Sequence, residues 1–282
     1  MVKGSNMLTA PELIDTHAHL DFPEFTDRIP AVIQRARQAG VSRIVTIGID
    51  IETSRKASLI ALENEEVYAS AGIHPHAAGI LAPRELELLE EIASRIKVVA
   101  VGEIGLDYYR DMQPRRVQVE CFRRQMELAV KIAKPVIFHI REAWDDFFEI
   151  ASEFAPCLPP SVMHCFSGDW GIARRCLDSG FYLSIPGVVT FNKALALQEV
   201  AKKAPFERLL VETDSPYLAP VPFRGKTNEP ALVLHTARKV AQCRDESLEK
   251  VAAHTTRNAL SVFGIHPPPK KQKDAKEPFA SF

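Results

Sequence analysis

The sequence predicts a (β/α)8 TIM barrel with one extra C-terminal helix. Short apolar runs rich in β-branched residues alternate with helical patterns about eight times, each unit spanning roughly 25 to 40 residues. The chain has 282 residues, enough for one large α/β domain. Most of the apolar runs stop in a histidine or a carboxylate, and a barrel gathers its strand ends on the one face where active sites of this architecture are built. The alternative is a doubly wound open sheet. It is disfavoured because no Gly-x-Gly-x-x-Gly turn follows the first strand.

The first stretch, Leu13-Ile14-Asp15-Thr16-His17-Ala18-His19, reads as a strand. Side chains alternate along a strand, so His17 and His19 face the same way and can hold one metal ion between them. Arg28 to Gly40 has a helical pattern with a glycine stop. Arg43 to Gly48 reads as a strand buried on both faces, and Ile51 to Asn64 as a helix. Val67 to Ile73 is a third strand that runs into His74-Pro75-His76. Pro83 to Arg95 is a helix with proline in its first turn. Val98 to Glu103 is the fourth strand, leading into Ile104-Gly105-Leu106-Asp107-Tyr108, and Val117 to Ala133 is a long amphipathic helix. Pro135 to His139 and Val162 to His164 are strands five and six, with a helix at Trp144 to Phe154 between them. A helix at Ile172 to Asp178 precedes strand seven, Phe181 to Ile185. A helix at Ala194 to Lys203 precedes strand eight, Arg208 to Asp214. Ala231 to Gln242 and Leu248 to Phe263 close the chain as helices.

Composition narrows the class. Hydrophobic residues make up 46% and charged residues 25%, which suits a globular protein with a full core. The net charge of −1 excludes a molecule that binds nucleic acid by its overall field, so any grip on phosphate must be local or come from bound metal. The five cysteines are scattered and odd in number, which points to a reducing compartment, here the cytoplasm. No stretch is long and apolar enough to span a membrane, and no signal-peptide pattern opens the chain. Residues 1–7 read as a leader or expression scar, 8–265 as one barrel domain, and 266–282 as a Pro/Lys-rich tail. A monomer is expected.

The chemistry is expected at the strand ends, at His17, His19, His74, Glu103, His139, His164 and Asp214. Each has an ordinary explanation when taken singly. Glu103 could pair with Arg110, His139 could be a satisfied core histidine, and Asp214 could cap a turn. Collected on one rim, these side chains are a metal-ligand set. His76 reads as a loop histidine, Cys165 as packing, and His235, His254 and His266 as structural or surface residues.

Five separate motifs, in order, resemble one family. They are His17-Ala18-His19, Gly102-Glu103-Ile104-Gly105-Leu106-Asp107, Pro135-Val136-Ile137-Phe138-His139, His164-Cys165-Phe166-Ser167-Gly168 and Glu212-Thr213-Asp214-Ser215-Pro216. Together with Arg224 to Pro230 they are similar to the signatures of the TatD family of metal-dependent deoxyribonucleases, over about Ile14 to Phe263. The resemblance implies two divalent metal ions. His17, His19 and Asp214 would hold one, and Glu103 would bridge to a second held by His139 and His164. Zinc, manganese, nickel or magnesium would each suit the set. The implied chemistry is attack on a DNA phosphodiester by water activated between the ions, with Asp214 as base, Glu103 as bridge and His74 on a phosphate oxygen. Arg141, Ser167, Ser215, Arg224 and Asn228 are candidates for holding the DNA backbone or a base, and Tyr108, Tyr109, Phe166, Trp170 and Phe191 for stacking. The expected substrate is DNA presented as single strands, frayed ends or 3′ ends; a near-neutral chain lacks the cations for a long duplex track, which favours short or frayed ends and leaves the polarity open. Two alternatives carry different expectations. A related barrel hydrolase would act on a small amide, lactone or phosphoester, and a binding module would hold metal and nucleic acid without turnover.

Overall fold

The computed structural model describes residues 11–265. The expected leader, 1–7, and the expected tail, 266–282, lie outside the described residues. Eight parallel strands pair in sequence order: β1 (Leu13–Ala18), β2 (Val41–Thr46), β3 (Val67–Ala71), β4 (Val98–Asp107), β5 (Val136–Arg141), β6 (Val162–Met163), β7 (Tyr182–Ile185) and β8 (Leu209–Val211). Helices follow the strands: α1 (Ile29–Gln38), α2 (Ile51–Glu63), α3 (Pro83–Ala93), α4 (Arg115–Lys131), α5 (Trp144–Phe154), α6 (Trp170–Asp178), α7 (Leu195–Lys203) and α8 (Val233–Arg244), with α9 (Leu248–Val262) added at the end. The Ala18–Ser215 bridge closes β8 onto β1, and the Asp214 N–H donates to His17 O at 2.9 Å. The fold is the (β/α)8 barrel that the alternation of patterns predicts.

Burial explains why the strands read as continuous apolar runs. Helices cover the outside, and a second layer of side chains fills the inside. Every strand contributes to that inner layer: Ile14, Val45, Ala100, Ile137, Val162, Tyr182 and Leu210 are buried in it, and the half-buried Tyr68 and Val99 pack against it. Ala259, Val262 and Phe263 at the end of α9, with Ile265, join the same cluster. The extra helix therefore packs against the barrel's interior residues as well as extending the chain. Among the described residues, no helix is long and apolar enough to cross a membrane.

Two departures from the expected boundaries matter for the site. Strand β4 continues past Glu103 to Asp107, with its pairing to β5 shifted between Val101 and Ile104. That shift is a bulge, a device that re-aims a side chain. Strands β6 and β8 are shorter than their sequence patterns, so His164 and Asp214 stand just beyond the regular sheet.

Candidate metal centre

The strand ends converge. His17, in β1, and His19, just beyond its end, both reach Asp214 after β8. The His19 Nε2–Asp214 Oδ1 distance is 3.5 Å, and the His17 Nε2–Asp214 Oδ1 distance is 3.8 Å. Glu103 sits among four imidazoles. Its Oε1 lies 2.6 Å from His139 Nδ1, 3.3 Å from His164 Nε2 and 3.6 Å from His74 Nε2. Its Oε2 lies 3.4 Å from His17 Nε2. The pairing of Glu103 with Arg110 that sequence allowed is absent from these contacts. The His17 and His164 rings stack with centroids 3.4 Å apart, which ties the two halves of the cluster together.

The close fit depends on glycine at one neighbouring position. Gly105 has φ +148°, and a Cβ there would meet His139 O at 2.1 Å. β4 and β5 approach this closely only because position 105 has no side chain.

Burial and mutual charge set the protonation states. Burial alone would raise the Glu103 carboxyl, but the surrounding imidazoles outweigh it and hold the group well below its ordinary range. Asp214 is likewise held down by its histidines against the pull of burial. His74 is pushed well below its usual value by burial and by His139 beside it. Burial opposes the charged form of His164, yet Glu212 and Glu103 overcome this and lift it to about 10.

The residues fit divalent metal. Four trios of donor atoms among the described residues each lie close enough to share an ion: His17, His19 and Asp214; His74, Glu103 and His139; His17, His164 and Glu212; and His164, Cys165 and Asp214. The buried Nδ1 and Nε2 of His17 and the Nδ1 of His19 have no hydrogen-bond partner. Orphaned buried imidazole nitrogens are costly unless something binds them, and imidazole with carboxylate is a donor set suited to divalent transition ions. His164 was expected in the second ligand group; it reaches Glu103 Oε1, and it also belongs to a trio with His17 and Glu212.

A second ring of carboxylates supports the first, and sequence reasoning assigned it no role. Asp107 Oδ2 lies 3.2 Å from His139 Nε2 and 2.9 Å from His76 Nε2, while its Oδ1 accepts the Tyr109 and Arg110 amides at 3.0 and 2.8 Å. His76, in the 3-10 turn Pro75–Ile80, is thus engaged with the site. Glu212 Oε1 accepts the Cys165 N–H at 2.7 Å and lies 3.0 Å from His164 Nδ1. Asp15 is fully buried, accepts the Thr213 N–H at 2.9 Å, and is raised by burial to about 8. One signal was available: Asp15 and His17, Glu103 and Asp107, and Glu212 and Asp214 all share the parity of alternating strand side chains.

The expected substrate-contacting residues divide. His74 lines the cluster. Ser167 and Arg224 are exposed on the rim, and the half-buried Arg141 lays its guanidinium over the Tyr109 ring, 3.9 Å from its centroid. Asn228 is different: it is fully buried, and its amide nitrogen donates to Thr213 O and Tyr217 O at 2.8 and 2.6 Å. These hydrogen bonds hold the loop after β8. Ser215 is also fully buried; its backbone oxygen accepts the His19 N–H at 2.8 Å, so it too fastens the loop. Of the aromatic candidates, Phe166 is buried in the core and Tyr109 is 55% exposed.

The chain is similar to known proteins over most of its length. The family model described as TatD related DNase matches residues 14–264. The Bacillus subtilis protein described as the uncharacterized metal-dependent hydrolase YabD is 41% identical over 254 residues, 90% of this chain and 100% of that one. The Klebsiella pneumoniae protein described as the 3′-5′ ssDNA/RNA exonuclease TatD is 34% identical over 258 residues, 90% of this chain and 98% of that one. The crystal structure of YJJV, a TatD homologue from Escherichia coli, superposes with a TM-score of 0.86 at 31% identity, covering 92% of this chain and 100% of that one. The chain therefore belongs to the TatD-related DNase family of metal-dependent hydrolases.

Proposed function

We propose that this protein is a two-metal phosphodiesterase that removes nucleotides from single-stranded or frayed DNA, working from 3′ ends. The observation that carries the reading is the position of Glu103. One of its oxygens faces His139, His164 and His74, and the other faces His17, so the carboxylate stands between two donor groups. With ions bound in both groups, a carboxylate so placed would reach each of them. His17, His19 and Asp214 would hold one ion, and Glu103, His139 and His164 the other. The relative whose description names single-stranded DNA and RNA as substrates supports the substrate class.

Bound divalent ions would supply Lewis acidity, which polarises the phosphate and makes water acidic enough to attack near neutral pH. The remaining roles fall to the chain's own groups. Asp214, kept ionised by its histidines, accepts the proton of the attacking water. His74, kept neutral by burial, donates a hydrogen bond to a phosphate oxygen without adding charge to the crowded cluster. Arg141, Ser167 and Arg224 steady the backbone at the rim.

The test is hydrolysis of a 3′-labelled single strand by the metal-loaded protein, run beside lactones and dihydropyrimidines. The reading expects release of labelled nucleotides and little turnover of the small substrates. It also expects that Glu103→Ala and Asp214→Ala abolish metal-stimulated hydrolysis. Full activity in either variant, or a preference for the small substrates, would overturn it.

A further inference from the structure

The seam between β8 and β1 lies directly across the rim from the seam between β4 and β5, because the strands run in sequence order around the barrel. The two seams carry different chemistry. On the β4–β5 side the exposed Tyr109 is crowded by cations, with Arg141 3.9 Å and Arg110 6.0 Å from its ring centroid. On the β8–β1 side the Phe22 ring stacks on the His19 imidazole at 4.7 Å, and Tyr217 meets Phe22 edge-on at 5.9 Å. A continuous line of rings therefore runs outward from an imidazole that itself reaches Asp214.

Packing accounts for Phe22, which covers His19. It does not account for Tyr217, which is 53% exposed three residues after Asp214. Nor is Tyr217 alone. Leu218 and Val221 beside it are also exposed, at 36% and 43%. Single exposed apolar residues need no explanation, but an apolar group clustered beside an active centre marks a contact surface.

We propose that Phe22 and Tyr217 form a base-stacking platform. It takes the nucleobase next to the scissile phosphate, while Arg110 and Arg141 across the rim hold backbone phosphate. This rests on the phosphodiesterase reading and adds to it the side of the centre on which a base is gripped. Aromatic stacking is indifferent to base identity, so the platform grips any sequence and requires only that a base be present and unpaired. That requirement matches a single-stranded substrate.

The experiment compares intact single strands with strands carrying an abasic site at successive nucleotides from the 3′ end. It uses the metal-loaded wild type, Tyr217→Ala and Phe22→Ala. In the wild type, the abasic site beside the cleaved bond is expected to lower kcat/KM about tenfold, mostly through KM, because stacking holds ground and transition states alike. In Tyr217→Ala that penalty disappears, while the metal content measured by elemental analysis stays at the wild-type level. Phe22→Ala shows the same loss of discrimination and serves if Tyr217→Ala does not fold. An abasic penalty that persists in both variants overturns the platform, as does a wild type that shows none; strand hydrolysis still continues in those cases. A metal-loaded wild type that cleaves no strand at all overturns the phosphodiesterase reading, and the platform with it.

Discussion

Asp107→Asn is a small change in shape with a large expected effect. The carboxylate can only accept hydrogen bonds, so the Nε2 atoms of His139 and His76 on its Oδ2 must both donate. That places the His139 Nε2 proton toward Asp107 and leaves Nδ1, 2.6 Å from Glu103 Oε1, as the nitrogen facing the ligand cluster. An asparagine keeps Oδ1 for the Tyr109 and Arg110 amides, so the local backbone loses nothing. It puts an NH2 group where Oδ2 was, and a donor now meets a donor. His139 can relieve the clash only by moving its proton to Nδ1, where it blocks metal coordination. Loss of such an orienting partner weakens metal binding about ten- to a hundredfold, or roughly 1.4–2.7 kcal/mol. The assay is calorimetric titration of metal-stripped protein with Zn²⁺ or Mn²⁺, followed by hydrolysis at limiting and saturating metal. The variant is expected to keep its thermal stability, bind metal more weakly and recover part of its activity when metal is raised. Wild-type metal affinity in Asp107→Asn would refute the reasoning.

Two further substitutions probe the frame around the site. Gly105→Ala drives a Cβ into His139 O at a φ that side chains rarely adopt. It is expected to cost about 3 kcal/mol or more, a fall of roughly 6–12 °C in Tm for a domain of this size, and to displace His139 so that metal affinity falls as well. An unchanged melting curve would contradict this. Asn228→Ala leaves the carbonyls of Thr213 and Tyr217 without their donor, an expected loss of about 1–3 kcal/mol in stability with turnover reduced through a loosened Asp214 loop. If stability were intact and only KM rose, Asn228 would be a substrate contact after all.

The positions that were legible in the sequence, and those that were not, follow from period and distance. Strands such as Arg43–Gly48 and Val98–Glu103 could be read because burial on both faces leaves an unbroken apolar run, and the residue that ends the run is the one the barrel delivers to the rim. The expectation that His139, His164 and Asp214 stand on the rim rests on that signal, and the expectation for His17 and His19 on their alternation in the first strand. Asp107 is not legible in this way. The apolar run ends at Glu103, and the bulge that carries β4 four residues further has no mark in composition. Its partners are also distant in sequence, 31 residues away at His76 and 32 at His139. The burial of Asn228 was not legible for another reason. A polar residue in a loop looks solvent-facing, and no periodicity reveals that its loop folds inward to satisfy two buried carbonyls. Tyr217 escaped notice because its value lies in what it stands beside, Phe22, which reaches the rim from the other end of the chain.

The most direct test of the central claim is a crystal structure with anomalous data at the absorption edges of the candidate metals, joined to elemental analysis of the same protein. The expected result is two ions per chain, one against His17, His19 and Asp214 and the other against His139 and His164, with Glu103 contacting both. A single ion, or ions that leave Glu103 without metal contact, would contradict the account.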